Sequence, residues 1–467
     1  VNKSHGLLLL SKFIAKSIIT PDFLYFKHFH GRILHKLVFF EVQFMKTVGI
    51  IAEYNPFHLG HQFQLSYCRN QLKADYIVVV MSGNYVQRGA PALLSKELRA
   101  DMALRCGADL VLELPVSYAC ASAEFFARGG VELLDGIGVT DLLCFGSEAG
   151  YMEPFYQTAE ILCEEPSAYR QHLKELLKTG MNFPSARSQA LVHYQKAANP
   201  MFDEEGFSAF LNSPNNILGI EYCKALRSLK SSITPVTLRR EGAQYHSQCL
   251  TDTPMPSASA IRAFFTRHIG EDASSSKEEE THDFSQLASA LPEPAFSLFQ
   301  DALCRQAFVT EEDLDLLLHY LLLSSTEEDL CRHMDFSPEL ARRIKNRLNE
   351  YQGFLSFTDL LKTRELTRSR IQRALLHLLL HIEETPKKVS YARVLGFQKS
   401  AAPLLKGIKE KGRLPLLTKL ANAPKLLDAD GLATLSQDIF ASHLYILSQK
   451  EKRPFVHEYQ KPVLIRD

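Results

Sequence analysis

From residue 45 onward, short apolar runs alternate with longer stretches in which apolar positions recur at helical spacing. The runs Val48 to Ala52, Tyr76 to Met81, Asp109 to Leu114 and Asp141 to Phe145 predict strands, with helices over His61 to Leu72, Ser95 to Cys106 and Ala121 to Leu134 between them. These strands are rich in Val, Ile and Leu and alternate little, which is the pattern of a parallel sheet covered by helices on both faces. The expected fold class is α/β: a Rossmann-like parallel-sheet domain followed by a mainly α-helical C-terminal domain. Past Gly146 the spacing predicts helices over Glu153 to Lys178, Ser185 to Lys196 and Asn216 to Leu229, then a strand from Ile233 to Leu238. A further helix is announced by Ser257-Ala-Ser-Ala-Ile-Arg262, with Ser259 as its cap and Arg262 in its first turn. The polar, low-complexity stretch 270–283 reads as a linker or loop. After residue 284 the periodicity is helical, with few strand signals. The expected organisation is therefore an extension over 1–44, an α/β domain over 45–269, the linker, and a helical domain over 284–467.

Composition narrows the class more than the chemistry. A chain of 467 residues exceeds what one growing core accommodates. Lys+Arg and Asp+Glu each number 53, so any contact with nucleic acid must rest on a local patch. Nine cysteines stand singly, with no Cys-x-x-Cys, as expected for a reducing cytoplasm. No apolar run approaches the roughly 20 residues that span a bilayer. The first 44 residues carry six Lys/Arg against two acids and read as a disordered extension or non-native start ahead of Met45.

The chemistry concentrates in MKTVGIIAEYNPFHLGHQFQL, residues 45–65. A strand empties into an Asn-Pro turn and then into His58-Leu59-Gly60-His61 at the start of a helix. A helix N-terminus offers unpaired N–H groups and partial positive charge to an anion. Gly60 lets the backbone and a nucleotide approach. Two imidazoles one turn apart can donate to an α-phosphate as charge builds on it. The spacing does not fit the His-Glu-x-x-His zinc pattern.

YNPFHLGH resembles the HxGH signature of the nucleotidylyltransferase superfamily, and SASAIR is similar to its second, phosphate-binding signature. With VVVMSGNYVQRGAPALLSK, GADLVLELP, FGSEAG and PNNILGIEY, the series resembles the bacterial tRNA(Met) cytidine acetate ligase family, from about Met45 to the C-terminus. Ala258 departs from the Ser that the second signature often carries. The resemblance implies ATP-dependent formation of acetyl-adenylate, with Mg²⁺ accompanying ATP, and acetyl transfer to the N4 amine of the wobble cytidine of elongator methionine tRNA. It implies His58 and His61 as catalytic. An ATP site would comprise Ile51, Ala52, Glu53, Tyr54, Asn55, Pro56, Phe57, His58, Gly60 and His61, with Gly146, Asn215, Asn216, Arg239, Arg240, Ser259 and Arg262. Metal ligands and oligomeric state are not indicated.

Residues 341–381 contain nine Lys/Arg against three acids, beside an apolar stripe. The run reads either as a solvated helical face or as an RNA phosphate contact through Arg368, Arg370 and Arg373. Two other functions stay open: a small-molecule adenylyltransferase of cofactor synthesis, and a non-catalytic RNA-binding protein on a nucleotidyltransferase scaffold.

Overall fold

The computed structural model describes residues 45–199, 201–240, 256–272, 284–450 and 454–467. The expected N-terminal extension, and the linker from residue 273 to 283, lie outside the described residues. Five strands follow the sequence expectation to within two residues: β1 (Thr47–Ala52), β2 (Tyr76–Ser82), β3 (Leu110–Leu114), β4 (Leu142–Ser147) and β5 (Thr234–Arg239). They are parallel and lie in the order β3-β2-β1-β4-β5. The order reverses beside β1, so a crevice opens there at the carboxyl ends of the strands, where such sheets bind nucleotides.

Alternate residues of one strand serve two cores, which explains the unbroken apolar runs. Val78 and Val80 pack with Phe126, Val131 and Leu134 of α3 (Ala123–Gly136) and Ile220 of α4 (Pro214–Leu229). Ile77, Val79 and Met81 pack on the other face, with Leu65 of α1 (Leu59–Asn70), Ala103 of α2 (Lys96–Arg105) and Phe265 of α5 (Ala258–Asp272). Each Val, Ile, Leu, Met or Phe side chain so buried contributes about 1.5–3 kcal/mol.

Three findings depart from the periodicity. The stretch 153–178 is two helices, Glu153–Glu164 and Ser167–Lys178, because Glu165 turns left-handed (φ 43°) before Pro166, which excludes helical geometry from its predecessor. The cap of α5 is Ser257, whose Oγ accepts from Ala260 N at 3.1 Å, rather than Ser259. The sheet also recruits strands from the C-terminal half. β6 (Ala392–Gln398) runs antiparallel to β3, and β7 (Leu416–Leu417) and β8 (Leu464–Arg466) pair with β6. Arg393 and Gly396 interrupt the apolar pattern of β6, and Arg393 is buried there only because Glu113 and Glu458 meet its guanidinium. Residues Lys46–Asp467 form one compact unit. Within it, Leu314, Ile344, Phe357, Ile371, Leu375 and Tyr445 close a separate helical core that includes α6 (Arg368–Leu380) and α7 (Ala429–Ser448).

Candidate active site

Beyond Ala52 the chain crosses the carboxyl edge of the sheet in a tightly held bend. Tyr54 adopts φ 49°, costly for a residue with a Cβ, and its buried ring rests against Phe57 and His61 at centroid distances of 4.8 and 4.7 Å. The Asn55–Pro56 peptide is cis. The fully buried Arg99 donates to the carbonyls of Glu53, Ser82, Gly83 and Leu94, so one guanidinium fixes the ends of β1 and β2 together. From the opposite side Arg262 donates to Asn55 O at 2.6 Å, while Asn55 Oδ1 accepts from Leu93 N at 2.8 Å.

His58 is the N-cap of α1. Its Nδ1 accepts from Gly60 N at 3.0 Å, and His61 Nδ1 accepts from His58 N at 3.2 Å, a capping box made by two imidazoles. The rings stack with centroids 3.8 Å apart. Burial, then the charges of Arg240 and Arg262, push His58 down to about 3. Burial, then His58 and Arg240, hold His61 well below the ordinary histidine range. Both rings are therefore neutral at pH 7. With Nδ1 used as an acceptor, each must carry its proton on Nε2, so the pair presents two N–H donors. A Cβ at position 60 would lie 2.9 Å from the His58 ring, so Gly60 first of all makes room for that imidazole.

The two histidines open on a cavity of about 260 Å³. Of the residues expected to hold a nucleotide, Ile51, Ala52, Glu53, Tyr54, Asn55, His58, Gly60, His61, Gly146, Asn215, Arg239, Arg240, Ser259 and Arg262 line it. Pro56, Phe57 and Asn216 do not. Phe57 is core, and Asn216 is buried beneath the site, its Oδ1 accepting from Glu148 N and Ala149 N at 3.0 and 3.2 Å. Asn216 thus shapes the turn after β4, while Asn215 binds Glu148 Oε1 at 2.6 Å and faces the cavity. At Gly146 a Cβ would meet nothing nearer than 3.5 Å of Arg240, so the neighbouring side chains do not require glycine.

The lining also includes Gln64, Gln87, Arg88, Phe126, Tyr222 and Ser257. The polar loop carrying Gln87 and Arg88 is legible as ligand cover, and Ser257 as a helix start. Phe126 and Tyr222 sit at ordinary core spacing and carry no signal. Among the described residues, four arginines against the single acid Glu53 make the cavity a receptor for a polyanion. Burial draws Arg240 and Arg262 below the usual arginine range, opposed by Glu148 for the first and by Glu53 and Glu311 for the second. An anion bound there relieves that cost.

A family profile described as HIGH Nucleotidyl Transferase matches residues 45–459. The chain belongs to the HIGH nucleotidyl transferase family. It is 38% identical over 429 residues to a tRNA(Met) cytidine acetate ligase of Clostridium tetani, covering 90% of this chain and 100% of the relative. It is 39% identical over 410 residues to the tRNA(Met) cytidine acetate ligase of a Thermoanaerobacter species, covering 87% and 96%. Among solved structures it resembles Thermotoga maritima TmcAL bound with alpha-thio ATP, at 30% identity and a TM-score of 0.81 over 91% of this chain and all of that one. The apo form of the same enzyme gives a TM-score of 0.83 at 30% identity over 90% of this chain.

The three arginines named from the basic segment are not equivalent in this member of the HIGH nucleotidyl transferase family. Arg368 is exposed and pairs with Asp359 at 3.3 Å, and Arg370 is half-buried, donating to Asp335 O at 3.2 Å. Arg373 is 8% exposed and forks onto Asp335 through Nε at 2.8 Å and Nη2 at 3.2 Å. The structure therefore places Arg373 inside the helical core and corrects its expected place on a surface. A side chain held that way fixes α6 and is not presented to a phosphate outside.

Proposed function

We propose that this protein is an ATP-dependent acetate ligase that forms acetyl-adenylate and acetylates the N4 amine of the wobble cytidine in elongator methionine tRNA. The observation that carries the reading is the pair of neutral, stacked imidazoles whose Nε2–H donors face a cavity ringed by arginines. Acetate attacks the α-phosphorus, the bond to pyrophosphate breaks, and the negative charge gained by the phosphate oxygens is met by His58 and His61. Arg262 and Ser259, already bonded to each other at 3.3 Å at the start of α5, bind the departing β and γ phosphates. Gly146, Asn215, Arg239 and Arg240 hold the adenosine half. No covalent enzyme intermediate is needed, because the mixed anhydride itself supplies a leaving group.

Mg²⁺ accompanies ATP. Among the described residues no group of three or more His, Cys, Asp or Glu side chains is arranged to hold a metal, so phosphate oxygens and water supply most of its ligands. The RNA reaches the site along the N-terminal end of α6, with Arg368 and Arg370 as phosphate contacts. Reactants of this kind place the enzyme in the cytoplasm, and among the described residues no helix is long and apolar enough to cross a membrane.

The purified protein is expected to exchange labelled pyrophosphate into ATP only when acetate is present, and to transfer labelled acetate to elongator methionine tRNA. Exchange that requires a different acceptor would assign the small-molecule adenylyltransferase reading instead. Absence of exchange with either would leave only the non-catalytic RNA-binding reading.

A further inference from the structure

The cavity is built for anions, yet it contains one carboxylate. Among the described residues Glu53 is the sole acidic side chain in its lining, which includes Arg88, Arg239, Arg240 and Arg262. A carboxylate beside a triphosphate weakens binding by like-charge repulsion, so its presence calls for a use. The side chain is held in place. Its Oε1 accepts from Gln87 N at 2.9 Å, and its own carbonyl accepts from Arg99. Among the described residues the other carboxylate oxygen has no recorded hydrogen bond. Two residues on, the backbone is fixed again through the bond from Arg262 to Asn55 O, so the strand end that carries Glu53 is held rigidly in the wall of the cavity that His58 and His61 also line.

Resting on the acetate ligase reading above, we propose that Glu53 is the proton acceptor of the acyl-transfer half of the reaction. The lone pair of an exocyclic aromatic amine is delocalised into its ring, which makes the amine a weak nucleophile. Its N–H becomes acidic only as the new C–N bond forms. In the step, N4 attacks the acetyl carbon of the mixed anhydride and the C–N bond forms. The C–O bond to the phosphate breaks, AMP leaves with that electron pair, and the N4 proton passes to the free oxygen of Glu53. The products are a neutral amide, AMP and a protonated Glu53 that returns its proton to water. A fixed carboxylate is basic enough to take that proton in the transition state.

The conservative change Glu53→Gln keeps an oxygen for Gln87 N and removes the base. Both half-reactions are measured on the full chain: acetate-dependent pyrophosphate exchange, and single-turnover transfer from synthetic acetyl-adenylate to elongator methionine tRNA. Transfer is expected to fall about 100-fold, and exchange to fall at least about tenfold less than transfer. Proportionate loss of both half-reactions, with a raised Mg²⁺ requirement, would make Glu53 a metal ligand and overturn the proposal. Retention of both near the parent level would reduce it to an anchor for the Gln87 loop and also overturn it. A parent enzyme with normal tRNA binding but no acetate-dependent exchange would overturn the ligase reading first, and this inference with it.

Discussion

Nδ1 of His58 is committed to capping α1, which leaves Nε2 for chemistry, and the two roles respond differently to substitution. His58→Ala loses both. It is expected to lower acetate-dependent exchange about 100-fold and to cost roughly 1 kcal/mol of stability. His58→Asn restores a preferred cap but does not reach the phosphate, so stability should return while exchange stays low; recovery of both in a parallel urea titration and exchange assay would assign His58 to capping alone. His61→Ala is expected to match His58→Ala in exchange, with tRNA affinity within about a factor of two of the parent. The protonation states give a second test. His58 titrates at about 3 in the fold, while an imidazole of the unfolded chain takes its proton near 6.5. Below that pH the unfolded state binds the extra proton, so stability falls as pH drops from about 6.5 toward 3, by up to about 1.4 kcal/mol per pH unit for each such group, and is flat above. NMR of the His58 ring should accordingly show no titration between pH 8 and 5. A midpoint near 6.5 in the folded protein would remove the neutral-donor account. At this scale the histidines, Arg262 and the arginines ending β5 were legible, because helix starts and strand ends leave strong local marks. The stacking, the Nδ1 bonds and the role of Gly60 toward His58 were not, since they depend on how one side chain meets another.

At the level of elements, the bend at residues 85–91 joins the nucleotide cavity to α6. Gly89 adopts φ 79°, and a Cβ there would lie 2.4 Å from the backbone nitrogen of Arg373, so this loop rests directly on α6. The same loop sends Gln87 and Arg88 into the cavity wall. The helix proposed to receive RNA thus touches the segment that lines the nucleotide site. Neutralising Arg368 and Arg370 together is expected to weaken tRNA binding and to flatten its salt dependence by close to two units of slope, with acetate-dependent exchange retained. Arg373→Gln is expected to behave differently: it leaves Asp335 short of its partner, lowers the thermal midpoint, and weakens binding only as far as α6 loosens. Filter binding across a salt series separates the cases, and a salt slope unmoved by the Arg368 and Arg370 pair would mean that their face is merely solvated. The helical character of this region was legible in its periodicity. Arg373 was not separable from its neighbours, because the recurrence of basic residues does not say which of them has a buried acid waiting on another segment.

For the whole molecule, the decisive contacts join distant segments, the farthest pair being Lys96 and Glu458, 362 residues apart. Lys96 at the start of α2 is fully buried, with Nζ 2.9 Å from Glu113 Oε1 of β3 and 3.1 Å from Glu458 Oε2 near the C-terminus. Arg393 of β6 completes the square, 2.9 Å from Glu113 Oε2 and paired with Glu458. Two cations and two anions, each from a different segment, thereby lock the C-terminal strands against the sheet that carries the histidines beyond its central strand β1. Such an arrangement was beyond the reach of periodicity, since each of the four residues reads as an ordinary surface charge in its own stretch. Burial drives the carboxyl of Glu458 upward, but Lys96, Arg393 and Lys461 outweigh it and hold the group well below the usual carboxylate range. For an acid depressed in the fold, the linked stability is complete above the unfolded value near 4.3 and is lost as pH falls below it. Glu458→Gln removes the charge and leaves Lys96 and Arg393 sharing Glu113 alone in a dry interior, a change that typically costs about 3–5 kcal/mol. Equilibrium urea unfolding at pH 7 is expected to show that loss, and to show it shrinking as pH falls below about 4.3, where Glu458 of the unfolded parent takes up its proton. Because none of the four residues lines the nucleotide cavity, the folded fraction of the variant should retain the parent's acetate-dependent exchange per active site. A variant of unchanged stability would mean that water reaches the square and screens it, and the C-terminal strands would then be held by their backbone ladder and apolar contacts alone.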